Sequence, residues 1–166
     1  MSTPFVAILM GSDSDLPVMQ MCLDILKSLE IPFEVKITSA HRTPTATHDY
    51  VIGAEQRGCQ VFIAAAGLAA HLAGVVAGLT LKPVIGVPMD GGALKGMDAL
   101  LSTVQMPAGI PVACVAIGKA GAKNSAYLAA QMLSLANPEL AQRVVAERKA
   151  NADAVIAKDS ALQQKL

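Results

Sequence analysis

Five apolar, β-prone runs divide the chain, and each is followed by a turn rich in Gly, Ser or Pro and then by a segment of helical length. The runs are Phe5 to Met10, Phe33 to Thr38, Gln60 to Ala65, Val84 to Pro88 and Val112 to Ile117. Strands that alternate with helices in this way build a parallel sheet covered on both faces. The 166 residues therefore predict one domain, 1–166, with a three-layer α/β/α, doubly wound fold.

The longest uncharged stretch is consistent with a buried sheet. No Lys, Arg, Asp or Glu lies between Gly58 and Leu81, a length that could span a bilayer. Its first half, Val61 to Ala65, is β-prone, and its second half, Ala69 to Leu79, resembles a helix. We therefore expect a buried strand followed by a helix, because parallel strands covered on both faces give near-continuous apolar runs.

Short signals mark the predicted helix ends. Thr43-Pro44 is typical of an N-cap followed by the first helical residue, and Gly58 is typical of a helix terminator. Asn137-Pro138 ends one helix and begins the last one. We expect a core over about 4–136 and a projecting C-terminal helix over about 138–160.

Composition argues against several classes of function. Lys plus Arg equals Asp plus Glu, 13 against 13, and aromatic residues make up only 3% of the chain, so a nucleic-acid partner is not expected. Cys22, Cys59 and Cys114 are odd in number and lie in apolar runs, which favours buried thiols in a reducing cytosol. Residues 1–10 lack the basic start of a signal peptide, so we expect a cytoplasmic protein without a membrane span.

Ligands of an open parallel sheet bind beyond the carboxyl ends of its strands, near the point where the strand order reverses. With the flavodoxin-like order 2-1-3-4-5, the first three turns lie side by side. These turns are Gly11 to Asp15, Ser39 to Pro44 and Ala66 to Leu72. The turns around Gly91-Gly92 and Lys119 to Gly121 carry fewer reactive groups, so function is expected in the first three.

The first turn carries small and hydroxylated residues ahead of a helix, namely Gly11, Ser12, Ser14 and Asp15. The backbone N–H groups at a helix start favour an anion such as phosphate. The turn lacks the Lys of a P-loop and the three glycines of a dinucleotide fingerprint, which argues against ATP and NAD. Because a carboxylate repels phosphate, Asp15 suits sugar hydroxyls better; the alternative is that Asp15 or Ser14 only caps the helix.

The second turn places a hydroxyl, an imidazole and a guanidinium close together, in Ser39, His41 and Arg42. Arg binds phosphate through two parallel hydrogen bonds, and His moves protons at neutral pH. This cluster favours function over an exposed polar loop in which Thr43 only caps a helix. His48 lies inside the following helix and is expected to be a surface or packing residue.

The third turn contains His71 among Leu and Ala, an environment more typical of a core or interface histidine. Gly67 and its small neighbours would let backbone N–H groups approach a small planar ligand or a carboxylate. The sequence shows neither a nucleophile beside a base nor metal-ligand spacing. General acid–base chemistry without a metal is what these residues favour.

Six motifs, spread from residue 5 to about residue 150, together resemble a known family. They are Met10-Gly11-Ser12-x-Ser14-Asp15, Ser39-Ala40-His41-Arg42-Thr43-Pro44, Ala69-Ala70-His71-Leu72, Pro83-Val84-x-Gly86-Val87-Pro88, Gln105-Met106-Pro107-x-Gly109-Ile110-Pro111-Val112 and Ala116-Ile117-Gly118-Lys119-Ala120-Gly121-Ala122. With them the chain resembles the class I N5-carboxyaminoimidazole ribonucleotide mutases of bacterial purine biosynthesis.

The resemblance implies an isomerase that moves a carboxylate from the exocyclic nitrogen of an aminoimidazole ribonucleotide to a ring carbon, without a cofactor. Carbon dioxide is released and recaptured in a closed site. The resemblance implies that His41 carries the proton, that Ser12 and Arg42 bind phosphate and that Asp15 contacts the ribose. The further substrate contacts it implies are Gly11, Ser14, Ser39, Ala40, Gly67, Ala70, His71 and Leu72. It also implies a homo-octamer in which the C-terminal helix embraces a neighbour.

This chain departs from the family in three places. Leu68 stands where the family usually has Gly, Ala73 where it has Pro, and Asp90-Gly91-Gly92 replaces a turn richer in Ser and Ala. Class II enzymes, which carboxylate the aminoimidazole directly, typically have Lys where Arg42 stands and lack the third-turn His71, so class I is favoured. A non-catalytic flavin-binding or nucleotide-binding module on the same fold is the rival of a different class.

Overall fold

The structure is a computed structural model that describes residues 4–166. Its strands are β1 (Phe5–Met10), β2 (Phe33–Ile37), β3 (Cys59–Ala66), β4 (Val84–Pro88) and β5 (Ala113–Cys114). Its α-helices are α1 (Leu16–Ser28), α2 (Pro44–Gln56), α3 (Leu72–Ala77), α4 (Met97–Val104), α5 (Lys119–Ser134) and α6 (Pro138–Gln163). A 3-10 turn, Asp13–Asp15, connects β1 to α1.

The five strands form one parallel sheet in the order β2-β1-β3-β4-β5. Ile8 in β1 lies opposite Val35 in β2 and Ile63 in β3, which fixes the register at the centre of the sheet. The predicted fold class and strand order are confirmed. Because the order reverses beside β1, the carboxyl ends of β1, β2 and β3 border one crevice.

Alternate side chains of β1 enter two separate cores, one on each face of the sheet. Val6, Ile8 and Met10 pack with α1 and α5, and Phe5, Ala7 and Leu9 pack with α2 and α3. Burying a large aliphatic side chain contributes roughly 1.5–3 kcal/mol. The sheet is therefore held from both sides, and the turns at its edge rest on a rigid base.

The charge-free stretch forms β3 and α3, as predicted, but α3 is shorter than the expected helix from Ala69 to Leu79. The backbone of Leu68 has φ 54° and that of His71 has φ 56°, both in the left-handed region. A right-handed helix cannot include such residues, so α3 begins only at Leu72.

β5 is also shorter than its predicted run from Val112 to Ile117. It is an edge strand of two residues, paired with β4 through Ile85 opposite Ala113 and Gly86 opposite Cys114. Gly118, at φ 68°, then turns the chain into α5 and donates its backbone N–H to the Pro88 carbonyl at 2.8 Å.

The last helix begins where Asn137-Pro138 predicts it. The Asn137 side chain accepts a hydrogen bond from the Leu140 N–H at 3.0 Å, an N-cap contact. Leu140 is the one buried residue of α6, and every residue from Arg148 onward is exposed, so the outer half projects from the core. Among residues 4–166, no helix has both the length and the apolar character needed to cross a membrane.

Candidate active site

One cavity of about 770 Å³ lies at the carboxyl ends of β1 to β4. All the site residues predicted from the sequence line it except His71. They are Gly11, Ser12, Ser14, Asp15, Ser39, Ala40, His41, Arg42, Gly67, Ala70 and Leu72. Residues up to about 60 positions apart in the chain therefore share one wall, as the strand order requires.

The first turn presents two hydroxyls at the cavity. Ser12 is the N-cap of the 3-10 turn, and its Oγ accepts a hydrogen bond from the Ser14 N–H at 3.3 Å. The Ser14 Oγ lies 3.0 Å from the Ser12 Oγ, to which it donates. These contacts hold both hydroxyls beside the start of α1, where backbone N–H groups favour an anion.

Asp15 occupies the N-cap position of α1, yet its side chain makes no capping hydrogen bond within the described chain. The carboxyl is half-buried, and this burial raises its pKa; a hydrogen bond from the Ser12 backbone lowers the pKa less, and Asp13 adds a small rise. The Asp15 side chain therefore does not cap α1, and the hydroxyl that caps the 3-10 turn is that of Ser12, not Ser14. Asp15 lines the cavity.

The second turn is held by a group of threonine hydroxyls. Oγ1 of Thr38 lies 2.7 Å from Oγ1 of the fully buried Thr47. Thr43 is at the N-cap of α2, as predicted, but its hydroxyl does not cap the helix. It bonds to Ser39 instead, accepting from the Ser39 N–H at 3.0 Å and donating to the Ser39 carbonyl at 3.1 Å. These hydrogen bonds among Thr38, Thr43, Thr47 and Ser39 hold the second turn in place.

His41 and Arg42 stand exposed on top of that network. The Arg42 N–H donates to the Ser39 Oγ at 3.1 Å, and the Arg42 Nη2 donates to the Gly11 carbonyl at 3.3 Å. The guanidinium therefore bridges the second and first turns and leaves other N–H donors toward the cavity. His48, predicted to be a surface or packing residue, is exposed, and its Nδ1 lies 3.0 Å from Asp49 Oδ1, away from the cavity.

His71 lies behind the cavity wall, at the start of α3. Its Nδ1 is 2.6 Å from the Ser102 carbonyl oxygen in α4, and since a carbonyl only accepts, Nδ1 carries a proton. The ring covers Gly74 so closely that a Cβ there would clash with it. The imidazole thus ties the third turn to α4, which fits the satisfied histidine that its apolar neighbours indicate.

The fourth turn contributes more than the sequence suggested. Met89, Asp90, Gly91 and Gly92 line the cavity beside Leu68, whereas Lys119 to Gly121 of the fifth turn do not. The sequence did not indicate them because this turn carries fewer reactive groups than the first three. The signal that could have found them is topological, since β4 pairs with β3 and its carboxyl end reaches the same edge.

A larger cavity, about 1070 Å³, lies at the opposite edge, where Pro4, Pro32 and Pro83 precede their strands. Size alone would favour this larger cavity as the functional site. Its charged side chains are partly engaged with the protein itself, because Arg143 lies 3.9 Å from Glu30 and donates from Nε to the Leu29 carbonyl at 2.9 Å. The smaller cavity holds the acid–base and anion-binding groups together, so we take it as the functional site.

The fold and the cavity define a doubly wound α/β protein with a small-molecule site in which a guanidinium, an imidazole and a carboxyl group face one space. A family model described as AIR carboxylase matches residues 5–154. The chain belongs to this family.

Curated relatives named N5-carboxyaminoimidazole ribonucleotide mutase match nearly the full length. The Mycobacterium tuberculosis (strain H37Rv) protein is 55% identical over 161 residues, 97% of this chain and 91% of the relative. The Escherichia coli K12 protein is 52% identical, over 91% of this chain and 89% of the relative. The Bacillus subtilis 168 protein is 50% identical, over 95% of this chain and 96% of the relative.

Solved structures give the same architecture. A Treponema denticola PurE crystal structure superposes with a TM-score of 0.86 at 33% identity, covering 96% of this chain and 99% of that one. The crystal structure of a substituted form of T. denticola PurE2 gives a TM-score of 0.87 at 33% identity, covering 98% and 99%.

Proposed function

We propose that this chain is an isomerase that converts N5-carboxyaminoimidazole ribonucleotide into 4-carboxy-5-aminoimidazole ribonucleotide in purine biosynthesis. The observation that carries the proposal is the joint presence of His41, Arg42 and Asp15 on one cavity, in a chain 50–55% identical to proteins named as this mutase. We treat residues 1–166 as one mutase domain.

The proposed substrate pose follows the chemistry of the three turns. Arg42 and the hydroxyl of Ser12 bind the phosphate, since a guanidinium forms paired hydrogen bonds with it and the start of α1 favours an anion. Asp15 accepts from ribose hydroxyls. The walls proposed around the base and its carboxylate are Ser39, Ala40, Gly67, Ala70 and Leu72, and most of these residues are small. Gly11 and Ser14 of the first turn are further proposed substrate contacts.

His71 was predicted to contact the substrate, and that contact stays a prediction. Its ring is bonded to the Ser102 carbonyl at 2.6 Å, and this contact supports a role in holding the third turn.

The proposed reaction balances with one proton carrier and no cofactor. The bond from the exocyclic nitrogen to the carboxylate carbon breaks, the electron pair stays on nitrogen, and nitrogen takes up a proton. The ring carbon then attacks the released carbon dioxide, a carbon–carbon bond forms, and that carbon loses its proton. His41, exposed at the cavity wall, gives the first proton and takes the second, so it ends as it began.

Confinement of the carbon dioxide is the second part of the proposed mechanism. A trapped molecule beside the ring is captured in an effectively unimolecular step, which is worth several kcal/mol in well-oriented systems. Any escape leaves aminoimidazole ribonucleotide behind. The site must therefore close over the base while the intermediate exists.

We also propose that the chain acts in the cytoplasm as a homo-oligomer, an octamer by family resemblance. Met97, Leu101 and Val104 of α4 follow helical spacing and are 51%, 51% and 46% exposed, and Val155 and Ile156 of α6 are 66% and 64% exposed. Apolar rows of this kind are typical of contact surfaces. A light-scattering mass of 17.1 kDa, one chain, would contradict the oligomer.

One experiment separates the candidate functions. The protein is given the carboxyamino ribonucleotide and, separately, aminoimidazole ribonucleotide with bicarbonate, and the C-carboxylated product is followed against a reaction without protein. A mutase forms product from the first substrate. Efficient product formation only from the second would indicate a direct carboxylase, and flavin absorbance without turnover would indicate a binding module.

A further inference from the structure

Leu68 adopts a backbone conformation that its side chain does not favour. It lies in the third turn at φ 54°, the left-handed region that few residues other than glycine occupy readily. Its side chain is 58% exposed, so burial in the core does not offset the strain. Strain of this kind persists where the surrounding structure imposes it, and it clusters at functional sites.

Gly92 of the fourth turn makes room for that side chain. A Cβ at position 92 would lie 2.6 Å from Cδ2 of Leu68, so the leucine covers this glycine and no larger residue fits without displacing it. Gly92 is itself at φ 78°. The third and fourth turns thus contact each other through a methyl group of Leu68 that packs over the backbone of Gly92.

This contact stands at the proposed active site. Leu68 and Gly92 line the same cavity as His41, between the ends of β3 and β4. The surrounding wall offers hydroxyl, imidazole, guanidinium and carboxyl groups beside alanines and the buried Leu72 and Met89. Leu68 is the large, exposed apolar side chain among these groups.

We propose that Leu68, seated on Gly92, is an apolar lip that retains carbon dioxide over the ring carbon. The inference rests on the proposed function, because only a reaction that releases carbon dioxide is served by such a barrier. The barrier is an addition in this chain, since the family that the chain resembles usually has Gly at this position. Carbon dioxide is neutral and accepts hydrogen bonds weakly, so polar wall residues hold it poorly and confinement must come from shape. An apolar side chain at the mouth also disfavours water, which would otherwise fill the space that the gas occupies.

The proposal predicts leakage when the lip is removed. Leu68→Gly deletes the side chain and relieves the strained backbone, so the variant is expected to fold. Its product ratio, aminoimidazole ribonucleotide over C-carboxylated ribonucleotide, should rise at least fivefold above wild type after subtraction of the rate without enzyme. In 13C-bicarbonate, more label should enter its product. Leu81→Gly, at a fully exposed leucine outside this cavity, is the matched control and should give the wild-type ratio.

A second variant tests the contact itself. Gly92→Ala should displace Leu68 and raise the same ratio, and it also strains the backbone at φ 78°. The double variant Leu68→Gly, Gly92→Ala separates the two effects: it should leak no more than Leu68→Gly alone, because the displaced leucine is then absent. Ratios and label uptake that stay within twofold of wild type in Leu68→Gly would overturn the inference while leaving the mutase intact. A wild-type protein that forms no C-carboxylated product would instead overturn the proposed function, and the lip with it.

Discussion

The Nη2 atom of Arg42 lies 3.3 Å from the carbonyl oxygen of Gly11, to which it donates a hydrogen bond across 31 positions of sequence. The contact joins the turn after β2 to the turn after β1. Because a guanidinium has five N–H donors, one bond to the backbone orients the group and leaves donors for a phosphate. Substrate affinity should therefore depend on the shape of this side chain as well as on its charge.

Arg42→Lys should weaken binding of the ribonucleotide by roughly tenfold, since a charged hydrogen bond is worth about 1.5–3 kcal/mol and the new ammonium supplies part of it. Isothermal titration with the product and the KM for the substrate both measure the change. Arg57→Lys is the control, because Arg57 pairs with Glu34 on the surface at 2.6 Å. Unchanged affinity in Arg42→Lys would exclude the assigned phosphate contact.

Asp15 should make stability depend on pH. Burial raises the pKa of its carboxyl in the folded state, so the native protein holds this proton to a higher pH than the unfolded chain does. Stability is then lost as pH rises from the unfolded pKa, near 3.8, through the folded one. Asp15→Asn removes this loss, so its stability relative to wild type should improve across that interval and then level off.

Urea unfolding of both proteins at several pH values from about 4 to 7 measures the difference. If the free energies of unfolding of wild type and Asp15→Asn differ by the same amount at every pH, the Asp15 carboxyl carries no desolvation penalty. The same variant should bind the ribonucleotide less tightly if Asp15 contacts the ribose.

The threonine network beneath the second turn should be a stability determinant. Thr47→Val keeps the shape but removes the hydroxyl that lies 2.7 Å from that of Thr38, and a buried polar group that loses a partner costs about 1–3 kcal/mol. Thr45→Val, on the exposed side of α2, should change the free energy of unfolding by no more than about 0.5 kcal/mol. Equal effects of the two substitutions would contradict the network's role.

The thiols should differ in reactivity. Burial raises the pKa of Cys22 and of Cys59 to about 11, whereas Cys114 is only partly buried and its pKa is raised less. At pH 8 the first two thiols should react with a chromogenic disulfide reagent only after unfolding, because the thiolate is the nucleophile. Rapid reaction of more than one thiol per native chain would show that a core around Cys22 or Cys59 opens readily in the folded protein.

The sequence was most informative where residue type alone determines the local structure or its reactivity. Apolar runs predicted β1 and β4 to the residue, and Asn137-Pro138 predicted the start of α6. The Ser39, His41 and Arg42 cluster predicted the most reactive turn, which does line the cavity.

The errors came from backbone geometry and contacts that residue types alone do not specify. Only the fold shows that Leu68 and His71 adopt left-handed backbone and delay α3, or that Thr43 bonds back to Ser39. The fourth turn was undervalued because glycines have no reactive group. Its importance is geometric, since Gly92 accommodates Leu68.

The most direct test of the account is turnover by His41→Asn, with His48→Asn as the matched control. Asn keeps a polar side chain but neither gains nor loses a proton near neutral pH, and general acid–base groups contribute about 10²–10⁴ in rate. We expect His41→Asn to bind the carboxyamino ribonucleotide with little change yet isomerise it at least about 100-fold more slowly, while His48→Asn matches wild type. Isomerisation by His41→Asn at close to the wild-type rate would contradict the assignment of the proton carrier on which the mechanism depends.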